Sequence, residues 1–228
     1  MEVKFLSKAP IATFERHFDQ ELGLDSDMPR ETHPTKAKLI ETATALLKSH
    51  HVSEISVDMI LQESNISKGS MYHHFQDLEE LIETALLERY ARWVDVSVTT
   101  MTQILTSAKS SQEIYAGLVE VTKRTQDRKL STERFFRAEV LTKANGSPRF
   151  AAQLQILQQQ LTDSLTDIIR EAQERGFYKK DIDPKAIAVF IQAYTLGKII
   201  DDSSTDPVDP DSYSNLINLI IKEVFIQD

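Results

Sequence analysis

A chain of 228 residues with 41% hydrophobic side chains is long enough for one large core or two small ones. It has no cysteine, which excludes disulfides, thiolate metal sites and thiol nucleophiles and fits a reducing compartment. A net charge of -9 argues against a protein that coats nucleic acid without selection, and no run of about 18 or more apolar residues is present to span a bilayer.

The chain opens without the apolar core of a secretory signal, so a soluble, cytoplasmic protein is expected with no membrane partner. Ile11, Phe14, Phe18 and Leu22 recur by threes and fours between Pro10 and Gly23, which predicts an amphipathic helix over residues 9–22. An acidic, Pro-containing linker follows over residues 24–33. The helix is expected to dock on the protein's own surface or to act as a partner-binding or autoinhibitory arm, and its excess of acids speaks against an arm laid in the minor groove.

Residues 35–49 carry Leu39, Ile40, Ala43, Leu46 and Leu47 on one stripe, the pattern of a first core helix. Residues 56–75, SVDMILQESNISKGSMYHHF, then read as two short helices joined by a tight turn. Ser56 is placed to cap the first, with Val57, Ile60 and Leu61 at helical spacing. Asn65 tolerates the left-handed conformation that a helix stop needs, Ile66 is an apolar plug, and Ser67 caps the second helix. Met71 and Phe75 give that second helix its buried side. Lys68, Ser70, Tyr72, His73 and His74 are left for other faces, where folding has no need of them. No acidic side chain occurs in residues 66–76, although the chain as a whole is acidic.

Asp77 and Glu80 have capping-box spacing before a longer helix that buries Leu78, Leu81, Ile82, Ala85, Leu86, Tyr90, Trp93 and Val94. The β-branched, hydroxyl-rich residues 94–100 are expected to bend or loosen it, which places a domain boundary at 93/94. Beyond it the spacing predicts helices over residues 113–128, 132–144 and 149–175, with Phe135, Phe136 and Val140 inward on the second and Gly176 stopping the third. A helix over 184–201 is apolar nearly all round and should be buried on more than one side. An Asp- and Pro-rich loop then leads to a last helix over 212–226. No strand alternation persists, so the fold class is all-α.

Adjacent histidines, 50–51 and 73–74, do not share a helix face, and Asp201, Asp202 and Asp206 read as a solvated loop, so no metal is expected. Neither a phosphate loop nor a nucleophile elbow occurs, so neither an enzyme nor a cofactor is expected.

The span 35–93, with NISKGSMYHHF at residues 65–75 followed by an acidic pair before Leu81, resembles the DNA-binding domain of the TetR family of bacterial transcriptional regulators. Two positions depart from the family pattern. Asn65 or Ser64 stands where members often have Gly or Ala, and Leu78 stands where many carry a lysine that would contact phosphate. The resemblance implies that Tyr72 and His73 touch phosphates and that Lys68 and Ser70 lie near phosphate or base edges. It implies that Gly69 lets the backbone approach, that Lys36 and Ser56 add phosphate contacts, and that Ser67 and His74 complete the interface.

It further implies a homodimer on an inverted-repeat operator in double-stranded DNA. The matching interface residues are Ile187, Ile191, Tyr194, Ile199, Leu216, Ile217, Ile220 and Val224. A small apolar or amphipathic effector would bind among Met101, Tyr115, Phe135, Phe136, Leu157 and Tyr194, residue types that equally fill a plain core. The expected function is a repressor released by such an effector. An activator, a regulator answering a protein partner, and a helical scaffold without DNA affinity are the alternatives.

Overall fold

The computed structural model describes residues 33–227, so the helix expected at residues 9–22 and its linker lie outside the described residues. The chain divides into two compact units between Asp77 and Leu78.

In the first unit α1 (Pro34–Leu46) starts with His33, whose Nδ1 accepts from the Thr35 amide at 3.3 Å, and with a proline in the first turn where no amide is missed. Its end is earlier than the expected 49 because the chain tightens into i to i+3 bonds, Lys48 N to Ala45 O and Ser49 N to Leu46 O. Leu39, Ile40, Ala43 and Leu46 are buried, and α1 packs against both α2 (Val57–Ser64) and α3 (Lys68–His74). Helices of eight and seven residues are too short to persist alone, so this packing with Ile60, Met71 and Phe75 holds them.

The second unit begins with α4 (Leu78–Ser107), 30 residues long and unbroken. Residues 94–100, expected to bend or loosen it, lie inside it without a break, and the boundary expected at 93/94 falls within this helix. The hydroxyls explain the continuity. Ser97 Oγ donates to the Trp93 carbonyl and Thr100 Oγ1 to the Val96 carbonyl, both at 2.8 Å, so they bond back to their own helix instead of competing with it. After a turn, Ser110 caps α5 (Ser111–Gln126). A Cβ on Gly117 would stand 2.8 Å from Ile104 Cγ2, so glycine is what lets α5 and α4 approach there.

Next come α6 (Ser131–Lys143) and the 27-residue α7 (Pro148–Glu174), which packs on α4. Gly176 ends α7 at φ 75° in a paired closure, with Phe177 N to Ala172 O at 2.8 Å and Gly176 N to Gln173 O at 3.1 Å. Helix α8 (Pro184–Gly197), capped by Asp183, packs on α7 and stops short of 201. Lys198 is buried with its ammonium 5.2 Å from the Tyr213 ring centre, and a separate turn, α9 (Ile199–Asp202), follows. Helix α10 (Pro210–Ile220) runs into a π-helical turn over Ile221–Phe225, and Ile226 closes an isolated antiparallel bridge to Tyr178. No strand occurs among the described residues, so the observed fold is all-α as the periodicity predicts. No described helix is long and apolar enough to cross a membrane.

Helix α8 is not buried on several sides within one protomer. Ile187 and Ala188 are buried, whereas Val189 is exposed and Ile200 beyond it is 80% exposed. The residues assigned to a dimer interface also divide. Ile187 and Ile217 are packed inside their own protomer, because each sits on the core-facing side of its helix, and they are withdrawn from that assignment. Leu216 and Val224 are exposed, Ile199 and Ile220 are half-buried, and the exposed Leu219 was not anticipated.

Candidate nucleic-acid interface and ligand cavity

The candidate interface is the exposed face of α3, and the position of that helix is set by local chemistry. Ser56 Oγ accepts from Met59 N at 3.3 Å, which starts α2, and Asn65 ends that helix at φ 54°, ψ 37°. Ser64 is fully buried and its hydroxyl accepts from Ile66 N at 3.3 Å across the turn. Ser67 Oγ then accepts from Ser70 N at 3.1 Å and meets Ser70 Oγ at 2.9 Å. An N-cap of this kind contributes about 1 kcal/mol, a large share for a seven-residue helix.

On that helix Met71 and Phe75 are buried while Lys68, Gly69, Tyr72 and His73 are exposed, Tyr72 by 45%. Nothing lies within 4 Å of where a Cβ on Gly69 would be, so the backbone there is open to close approach. Ser70 and His74 flank the exposed face and are half-buried. Lys36 holds its ammonium 5.8 Å from the centre of the Phe75 ring, and Ser56 and Ser67 are engaged as caps, so these three also serve the fold. The His74 ring lies 4.9 Å from His33 and 5.1 Å from His73. Burial first, and then the neighbouring His33, His73 and Lys36, push its pKa below the ordinary 6.5.

Within the second unit, α4 to α8 and the turn after α10 enclose a cavity of about 280 Å³. Of the residues expected to hold an effector, Met101 and Tyr194 line it, together with Ile191. Tyr115, Phe135, Phe136 and Leu157 do not. Phe135 is 45% exposed because Arg134, one residue earlier and 2% exposed, occupies the inward position on α6. Leu157 is buried away from the cavity, and the Phe136 ring carries the Arg89 guanidinium at 3.7 Å.

The cavity wall is mostly apolar, with a few polar groups that the sequence reading did not single out. Tyr90 donates to Gln158 at 2.7 Å, Gln158 donates to Gln192 at 2.5 Å, and Gln192 lines the cavity. Burial pushes the Tyr90 phenol up to about 12, so it remains a donor. Arg134 and Arg137 face the cavity from α6, and Trp93 faces it from α4. The available signal was the stripe Leu130, Arg134, Arg137, Val140, which runs by threes and fours and puts two arginines at buried positions.

Residues 39–85 match the family described as bacterial regulatory proteins, tetR family. The HTH-type transcriptional regulator UidR of Escherichia coli K12 is 21% identical over 180 residues, covering 79% of this chain and 87% of that protein. The HTH-type transcriptional repressor KstR2 of Mycobacterium tuberculosis H37Rv is 22% identical over 165 residues, covering 72% of this chain and 80% of that protein. Among solved structures, a transcriptional regulator from Saccharomonospora viridis in complex with choline shares the fold with a TM-score of 0.62 at 20% identity, covering 85% of this chain and 98% of that one. The capped helix-turn-helix described above lies within the matched span, so it is over residues 39–85 that this chain matches the tetR family of bacterial regulatory proteins.

Proposed function

We propose that the chain is a homodimeric transcriptional repressor, acting in the cytoplasm, that holds an inverted-repeat operator through α3 and leaves it when a small molecule occupies the cavity. The observation that carries this reading is the face of α3 made by Lys68, Gly69, Tyr72 and His73, exposed and free of acids in a chain of net charge -9. A DNA reader needs positive and hydrogen-bonding groups where it meets phosphate, whatever its overall charge. The exposed Val189, Ile200, Leu216 and Leu219 support self-association, since each leaves a large apolar side chain in water that a second copy would cover. Two copies would then present two α3 helices to half-sites about 34–36 Å apart or somewhat more. The name of KstR2 supports repression, and the choline complex of a fold neighbour supports a small-molecule cavity.

Release is a population shift. A ligand bound more tightly by the dimer arrangement whose α3 helices are out of half-site register draws the protein toward that arrangement. The test is selection from random duplex DNA by the purified protein at near-physiological salt, followed by sequencing. Enrichment of an inverted repeat is expected. A folded, dimeric protein that enriches nothing would overturn the reading in favour of a helical scaffold.

A further inference from the structure

We propose that the cavity of the second unit takes a small monocarboxylate with an apolar or aromatic body, and that Arg137 binds the carboxylate. The proposal rests on reading that cavity as the effector site and gives the effector its chemical class.

Among the described charges around the cavity, Arg137 alone is both buried and without an ion-pair partner. Arg134 is fully engaged: Nε and Nη2 reach the two Asp202 oxygens at 2.5 and 2.8 Å, Nη1 donates to the Thr125 carbonyl at 2.8 Å, and Nη2 also donates to the Asp127 carbonyl at 3.2 Å. Glu133 accepts from Arg89 at 2.8 Å. Arg124 lines the cavity but is exposed, so water solvates it. Arg137 is 7% exposed, and its Nη2 makes one long bond, 3.3 Å, to the Thr195 carbonyl. Its Nε is buried with no partner, and no carboxylate pairs with it among the described residues.

The ring of Trp93 beneath it, 4.5 Å from the guanidinium carbon, offers weak compensation for a desolvated full charge. Burial lowers the Arg137 pKa, yet an arginine still does not give up its proton near neutrality. A buried N–H with no acceptor on a full charge is an unfavourable arrangement for folding alone. It becomes favourable when a carboxylate arrives from the cavity, because a charge-assisted bond inside an apolar wall is about twice as strong as a neutral one. One unpaired cation neutralises one negative charge, which selects a monocarboxylate over a dianionic phosphate ester. Leu161, Leu165, Val121 and Met101 supply the apolar wall for the body of the ligand, and the volume of about 280 Å³ keeps it small.

Trp93 is the sole tryptophan of the chain, so its emission reports on the cavity. The test titrates the full-length protein with 4-phenylbutyrate, octanoate and cyclohexanecarboxylate, each beside its own primary amide, by calorimetry and by Trp93 fluorescence. At least one acid is expected to bind about tenfold or more tightly than its amide and to change the emission. Arg137→Gln should abolish that preference while leaving amide binding in place, and Arg137→Lys should keep part of it. Equal binding of acids and amides, no binding by any of the six, or an undiminished preference in Arg137→Gln would overturn the proposal. Should Arg137→Gln fail to fold by circular dichroism, the acid-to-amide ratio of the wild-type protein decides alone. Adding the same compounds to the DNA complex separates the two readings. Acids that bind without releasing DNA leave the carboxylate site standing and remove its effector role. Amides that release DNA where acids do not leave the effector role standing and remove the carboxylate site.

Discussion

Helix α3 and the cavity of the second unit both keep polar groups that folding does not consume, but they keep them in opposite surroundings. On α3 the groups are Lys68, Tyr72 and His73, exposed to water, where an unused polar group costs almost nothing. In the cavity the group is Arg137, nine-tenths buried, where an unmatched charge is expensive. The first arrangement suits the proposed contact with a charged polymer, whose phosphates would supply attraction over a wide area. The second marks a site that a single small anion would complete. The two arginines of α6 make the same contrast within one helix: Arg134 is matched by Asp202 and two carbonyls, and Arg137 by almost nothing.

Replacing those two arginines breaks or sharpens the contrast most strongly. Arg134→Met leaves the buried Asp202 carboxylate without its partner and should lower stability by about 3–5 kcal/mol, whereas Arg137→Met should change it by no more than about 1 kcal/mol. Urea denaturation of both variants checks the difference, and equal losses would mean that Arg137 also serves the fold. Next in size, Tyr72→Ala should weaken DNA binding by about tenfold on every sequence with helix content retained, since the side chain is half in water and packs little. Gel shift with two unrelated duplexes measures it, and wild-type affinity would remove Tyr72 from the interface. Ser67→Ala removes a cap and should lower the stability of the first unit by about 1 kcal/mol, read as faster amide exchange in α3.

The smallest effect concerns pH. The folded pKa of His74 lies below its unfolded value of 6.5, so the unfolded chain binds the proton more readily. The contribution is present above 6.5 and is lost as pH falls from there through the folded pKa. His74→Gln should therefore flatten the decline in first-unit stability just below 6.5, and a decline of unchanged slope in a thermal series would assign it to other groups.

Much of α1 to α3 was legible because caps and stops depend on a few consecutive residues. Ser56, Asn65, Ser67 and Gly176 each act on backbone within four positions, and a single sequence holds all of that information. The continuity of α4 is hard to read from sequence because β-branched and hydroxyl residues carry two opposite tendencies. Propensity predicts a loosened helix, while the bonds of Ser97 and Thr100 to their own carbonyls allow it to run on. The cavity was legible only at Met101 and Tyr194. Its lining joins positions as far apart as Trp93 and Phe225, and periodicity cannot report which buried faces meet. Phe135 was misplaced for a related reason, since an aromatic residue was assigned the inward position that Arg134 holds.

The most direct test of the central claim, that α3 reads DNA through phosphate contacts, is the salt dependence of affinity for the duplex that selection enriches, measured for the wild-type protein and Lys68→Ala. A falling straight line of log affinity against log salt is predicted, with a slope shallower by about 1 in the variant. A flat line in the wild-type protein, or identical slopes in both, would contradict it.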